Sequence, residues 1–211
     1  MKRYIKFCGM RRIEDIEYAL ELGVDGIGMV MVPESARSIS IDEASRIRQR
    51  LPMGVEIFAL VRDASVEHIE AIYDRVNPNY VQFHGTESAE FCEQFQRPYC
   101  KALALADPVL TAKIDEYNSA DLLILDGHAV GAAGGSGEIG DWSRYPRSLG
   151  IHGLLAGGLR ASNVAAAIRA TDCAGVDVSS GIESEPGVKS TARMTAFVRN
   201  VRALDHLKQT E

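Results

Sequence analysis

The stretch "GLLAGGLRASNVAAAIRATDCAGVDVSSGIE", residues 153–183, decides the fold. It opens on a short apolar run, Gly153–Ala156, and breaks at Gly157-Gly158. Val164 and Ile168 then fall four residues apart, on one face of a helix, before a second run at Gly175–Ser179. Both runs are continuous rather than alternating, the pattern of strands buried on two faces in a parallel sheet. The unit is strand, glycine loop, helix, strand.

The same unit repeats along the chain. Strands are expected at Tyr4–Cys8, Gly26–Val32, Glu56–Val61, Tyr80–His84, Tyr99–Leu105 and Leu122–Asp126, besides the two just described. Between them apolar residues recur at helical spacing: Ile13, Ile16 and Leu20; Ala44, Ile47 and Leu51; Val66, Ile69 and Tyr73; Leu110, Ile114 and Tyr117; and finally Phe197, Val201 and Leu204. "SIDE", Ser40–Glu43, has the form of a capping box and fixes one helix start. The segment after Asp126 is glycine-rich, with at most a short helix around Trp142–Leu149. Eight strand-plus-connection units in 211 residues predict an α/β fold, a (β/α)8 TIM barrel forming a single domain over residues 1–211. An open doubly wound sheet is the alternative.

Composition narrows the function. Hydrophobic residues make up 46% and charged residues 25%, and the net charge of −6 argues against nucleic acid as a partner. No apolar run approaches the roughly 20 residues of a membrane span, and Lys6 and Gly9 interrupt any leader-like segment, so a cytoplasmic location is expected. Cys8, Cys92, Cys100 and Cys173 lie far apart without metal-binding spacing, and no disulfide, metal or cofactor is expected.

A barrel of this kind keeps its chemistry at the C-terminal ends of the strands. Glycine loops after two adjacent strands, "LAGGL" and "DVSSGIE", let backbone amides approach an anion, so Gly157, Gly158, Ser180 and Gly181 are candidate phosphate ligands. "GSGEIG", Gly135–Gly140, matches a dinucleotide fingerprint, but it starts nine residues after Asp126 and opens no apolar helix. A lid or anion-contacting loop is the better reading. Asp126 ends the apolar "LLILD" and can serve as an acid if burial raises its pKa. Arg37, in the loop after the second strand, can clamp a carboxylate, and His84, ending "VQFH", is a candidate substrate contact. Cys8, ending "IKFC", can be core filler, nucleophile or proton carrier. A thiolate base beside a carboxylic acid, one taking a proton while the other gives one, is the pattern of an isomerase.

Taken in order along the chain, "IKFCGM", "GVDGIGMVMVPESARSIS", "VQFHG", "LLILD…GGSGEIGDW", "LLAGGL" and "DVSSGIESEPGVKS" resemble the phosphoribosylanthranilate isomerases of tryptophan biosynthesis. The resemblance implies a metal-free Amadori rearrangement of N-(5-phosphoribosyl)anthranilate to 1-(o-carboxyphenylamino)-1-deoxyribulose 5-phosphate, with a small phosphorylated molecule as the only partner. It makes Asp126 the general acid at the furanose oxygen and Cys8 the base at C2′. Arg37 would hold the anthranilate carboxylate, the glycine loops the phosphate, and His84 and Asp177 would contact the ribose. Histidine-pathway aldose–ketose isomerases, which use an aspartate where Cys8 stands, are the nearest rival; a bifunctional barrel and a non-catalytic sugar-phosphate binder are others. The chain departs from the family pattern at Met10-Arg11-Arg12, Ala36, Arg62 and Ser190; a nearby cation would help ionise Cys8, and Arg11 and Arg12 are the first neighbours to check for that role, which the sequence leaves open. A monomer is expected, with a homodimer as the alternative.

Overall fold

A computed structural model describes residues 2–127 and 141–205. Eight parallel strands, β1 (Tyr4–Phe7), β2 (Gly26–Val30), β3 (Glu56–Val61), β4 (Tyr80–Phe83), β5 (Tyr99–Ala104), β6 (Leu122–Asp126), β7 (Gly153–Ala156) and β8 (Gly175–Val178), form a closed barrel. Closure is direct: β1 pairs with β2 on one side and β8 on the other. Helices α1 (Ile13–Glu21), α2 (Ile41–Arg50), α3 (Val66–Arg75), α4 (Ala89–Glu93), α5 (Leu110–Glu116), α6 (Val164–Thr171) and α7 (Thr191–Asp205) cover its outside. Between β6 and β7 the expected short helix is two segments of 3-10 helix, Trp142–Arg144 and Arg147–His152, the second kinked at Gly150. The glycine-rich segment read as a lid, Gly134–Gly140, lies outside the described residues.

Alternation along each strand sorts the side chains. Ile5 and Phe7 of β1, Ile27 and Met29 of β2, and Val81 and Phe83 of β4 belong to the main core between sheet and helices. Phe197 of α7 meets Phe7 edge-on, with ring centroids 6.1 Å apart. Each such fully buried side chain contributes about 1.5–3 kcal/mol relative to exposure. The residues between them point inward. Ile124, Leu154 and Ala156 form a small apolar cluster separate from the main core, and Lys6 and Gln82 are wholly buried. Both halves of the expected capping box form: Glu43 N donates to Ser40 Oγ at 3.2 Å, and Ser40 N donates to Glu43 Oε2 at 2.8 Å. A small hairpin, β9 (Glu183–Glu185) and β10 (Val188–Lys189), follows β8.

Candidate active site

The C-terminal mouth of the barrel holds a cavity of about 280 Å³. Cys8, Arg37, His84, Asp126, Gly157, Gly158, Asp177 and Ser180 all line it. Gly181 lies outside the lining, and its lack of a side chain has a steric use. A Cβ there would come within 1.8 Å of the Leu159 carbonyl oxygen, so only glycine lets the loops after β7 and β8 pack backbone on backbone. Gly157 has φ +85, and a Cβ on it would stand 2.2 Å from Gly127 N and 2.5 Å from Asp126 Oδ1. The first glycine of the loop therefore makes room for the Asp126 carboxylate. Among the described residues no backbone carbonyl takes the amides of Gly157, Gly158, Ser180 or Gly181. Asn163 pins the loop from behind, with its Nδ2 donating to Gly158 O at 2.9 Å.

Cys8 is one residue past the end of β1 and 5% exposed. Its sulfur rests on β2, where a Cβ at Gly28 would lie 2.9 Å from Sγ. Burial pushes the thiol pKa up and Asp177 adds to this, while Lys6 and Lys189 oppose it. The resting group is a thiol flanked by two buried ammonium groups. These, rather than Arg11 and Arg12, are its cationic neighbours. Arg11 Nη1 is spent on the Ala36 carbonyl at 2.8 Å, and Arg12 pairs with Glu14 on the surface.

Beneath Cys8 runs a chain of polar groups. Lys6 Nζ lies 3.0 Å from Asp177 Oδ2 and donates to Gln82 Oε1 at 2.9 Å. Burial works most strongly against the Lys6 charge, but Asp177, aided by Cys8 and Cys100, more than offsets it and holds the ammonium above its usual pKa. Gln82 Nε2 meets His84 Nδ1 at 3.3 Å, and His84 Nε2 lies 3.8 Å from Asp126 Oδ2. Burial pushes the His84 pKa down despite Asp126 and Asp177, so the imidazole is neutral near pH 7. The second oxygen of Asp177 is buried without a hydrogen-bond partner, and Asp177 lines the cavity. A ligand hydroxyl there would satisfy it.

Arg37 is held on one side before any ligand binds. Its Nε and Nη2 each donate to Glu183 at 2.8 Å, so one edge of the guanidinium is occupied and the Nη1–Nη2 edge remains for a ligand. Lys6, Glu183 and Lys189 carried no sign in the sequence strong enough to make them site residues, and Gln82 stood out only by its place beside His84 at a strand end. Lys6 carried a weak one: a charge inside "YIKF", two residues before Cys8, shares its face of the strand. Glu183 and Lys189 flank the turn pair Pro186-Gly187, but nothing local joins them to Arg37. Among the described residues no grouping of three His, Cys, Asp or Glu is placed to hold a metal ion, and no helix is long and apolar enough to cross a membrane.

Fold and site together define a (β/α)8-barrel enzyme with its acid and thiol facing one cavity. The sequence profile described as N-(5′-phosphoribosyl)anthranilate (PRA) isomerase matches residues 5–200. The isomerase of Stenotrophomonas maltophilia strain R551-3 is 45% identical over 204 residues, covering 95% of this chain and 94% of its own. That of Nitrosococcus oceani is 40% identical over 206 residues, covering 97% and 100%. The crystal structure of the Thermotoga maritima enzyme superposes with a TM-score of 0.84 at 30% identity, covering 95% of this chain and 99% of its own. A further crystal structure, with reduced 1-(o-carboxyphenylamino)-1-deoxyribulose 5-phosphate bound, has a TM-score of 0.81 at 29% identity, covering 95% and 99%. The chain belongs to the N-(5′-phosphoribosyl)anthranilate isomerase family.

Proposed function

We propose that this chain, a single-domain monomer of the cytoplasm, converts N-(5′-phosphoribosyl)anthranilate to 1-(o-carboxyphenylamino)-1-deoxyribulose 5-phosphate in tryptophan biosynthesis. The observation that carries the reading is the placement of Cys8, from β1, and Asp126, from β6, in the lining of one cavity that also holds Arg37 and the glycine loops.

Asp126, protonated, gives its proton to the furanose oxygen as the C1′–O bond breaks. The anthranilate nitrogen lone pair becomes the C=N bond of a Schiff base. The iminium withdraws electrons from C2′, and the Cys8 thiolate takes the C2′ proton to leave an enolamine. The enolamine then loses its hydroxyl proton and gains one at C1′, giving the ketone. The free edge of Arg37 receives the anthranilate carboxylate bidentately. The amides of the β7 and β8 loops, which no backbone carbonyl among the described residues takes, receive the phosphate. The open oxygen of Asp177 accepts a ribose hydroxyl, and neutral His84 supports the Asp126 side of the ring. Holding both ends of the substrate places C2′ between acid and base.

Turnover is tested by generating the substrate in situ from anthranilate and phosphoribosyl pyrophosphate and following the loss of its fluorescence. A steady loss dependent on this protein is expected. No loss above the uncatalysed rate would overturn the reading.

A further inference from the structure

Glu183 and Lys189 hold no place in the steps above, yet they are among the most buried charges of the molecule, with side chains 4% and 1% exposed. They come from opposite strands of the β9–β10 hairpin. Glu183 presents one oxygen to Nε and the other to Nη2 of Arg37, each at 2.8 Å. Lys189 Nζ donates to Glu183 Oε1 at 2.8 Å, to the Cys8 carbonyl at 2.7 Å and to the Ser179 carbonyl at 3.1 Å. Burial opposes the Glu183 charge, but Arg37 and Lys189 together hold its carboxyl below the ordinary range. The Arg37 stem is pressed onto Gly9, where a Cβ would stand 2.7 Å from Cδ. Gly187, with φ +82, lets the hairpin turn lie against the Ala36 carbonyl.

An arginine free at a cavity mouth samples many rotamers, and binding must freeze them. Here the fork is bound along one edge before any ligand arrives. We propose that Glu183, itself held by Lys189, is a positioning residue that aims the free Nη1–Nη2 edge of Arg37 at the substrate carboxylate. This rests on the isomerase reading above. Because Lys189 also grips the Cys8 carbonyl, the carboxylate anchor and the base are set from one fixed point, so the distance between them is built into the hairpin.

The test is a double-mutant cycle on the full chain. Glu183→Gln keeps the shape but turns an amide NH2 toward a cation. KM is expected to rise about tenfold with kcat changed less than about threefold, and Glu183→Gln should add nothing further in an Arg37→Ala background. An unchanged KM, or an equal loss in both backgrounds, would overturn the proposal. If Glu183→Gln does not fold by circular dichroism, Arg37→Lys asks the same question. An ammonium cannot span both Glu183 oxygens, so KM should approach that of Arg37→Ala, and a parental KM would count against the idea. Calorimetry with reduced 1-(o-carboxyphenylamino)-1-deoxyribulose 5-phosphate separates the two layers. No binding to the parent overturns the isomerase reading itself, whereas parent and Glu183→Gln binding equally overturns only the positioning role.

Discussion

Cys8 stands with its sulfur over Gly28 and its carbonyl gripped by Lys189, and burial keeps its thiol protonated at rest. A general base must be ionised to act, so kcat/KM should climb with pH through and beyond the ordinary thiol range near 8.5. The sign is fixed by the direction of the shift. A raised folded pKa means that the stability Cys8 contributes is present below its unfolded pKa and lost as pH rises through the folded one. Alkylation of Cys8 by iodoacetamide across pH, read by mass spectrometry, should report the same ionisation; a thiol reacting fully at pH 6 would contradict it. The placement of the two proposed proton carriers was legible: Cys8 and Asp126 follow or end apolar strands and line the cavity at the strand ends, where a barrel works. Their electrostatic partners were not. Arg11 and Arg12 are near Cys8 in sequence, yet both turn away, while Lys189 arrives from 181 residues further on.

At the scale of elements, β2 shows how a strand serves a side chain on its neighbour. Gly28 faces inward, and a Cβ there would meet Cys8 at 2.9 Å from Sγ and 3.1 Å from Cα. Gly28→Ala should therefore move the Cys8 thiol, the proposed base. It should cost about 1–3 kcal/mol in urea unfolding, as a modest overpacking does, while kcat falls by about 10²-fold. Parental kcat would show that the thiol position is not critical. Elements were the most legible level of the molecule, because continuous apolar runs and helical spacing arise from burial on each side of the sheet. The strands begin where the apolar runs begin, and the Ser40–Glu43 cap forms as written. The 3-10 segments after β6, expected only as at most a short helix around Trp142–Leu149, had no such periodicity to fix their type or bounds. Nor did hairpin β9–β10, whose five strand residues are too few to set a pattern.

Across the whole molecule, the barrel seam is also an electrostatic seam. Lys6 of β1 and Asp177 of β8 are register partners and a buried ion pair. Removing one partner leaves the other charge buried alone, so Lys6→Met should lower unfolding free energy by about 3–5 kcal/mol, and adding Asp177→Asn should restore part of it. Chemical denaturation of the single and double variants measures this; a neutral Lys6→Met would show that Asp177 is satisfied otherwise. Such pairings across the closed barrel, like Arg37 with Glu183 at 146 residues' separation, are properties of closure, and no local pattern encodes them.

The acid–base pair at the barrel mouth is tested most directly by comparing Cys8→Ser and Asp126→Asn with the parent in the fluorescence assay, with binding of the reduced product analogue measured alongside. Both variants are expected to bind the analogue near parental affinity and to lose at least about 10³-fold in kcat, since each deletes one proton-transfer group. Parental turnover by Cys8→Ser would contradict the assignment of Cys8 as the base.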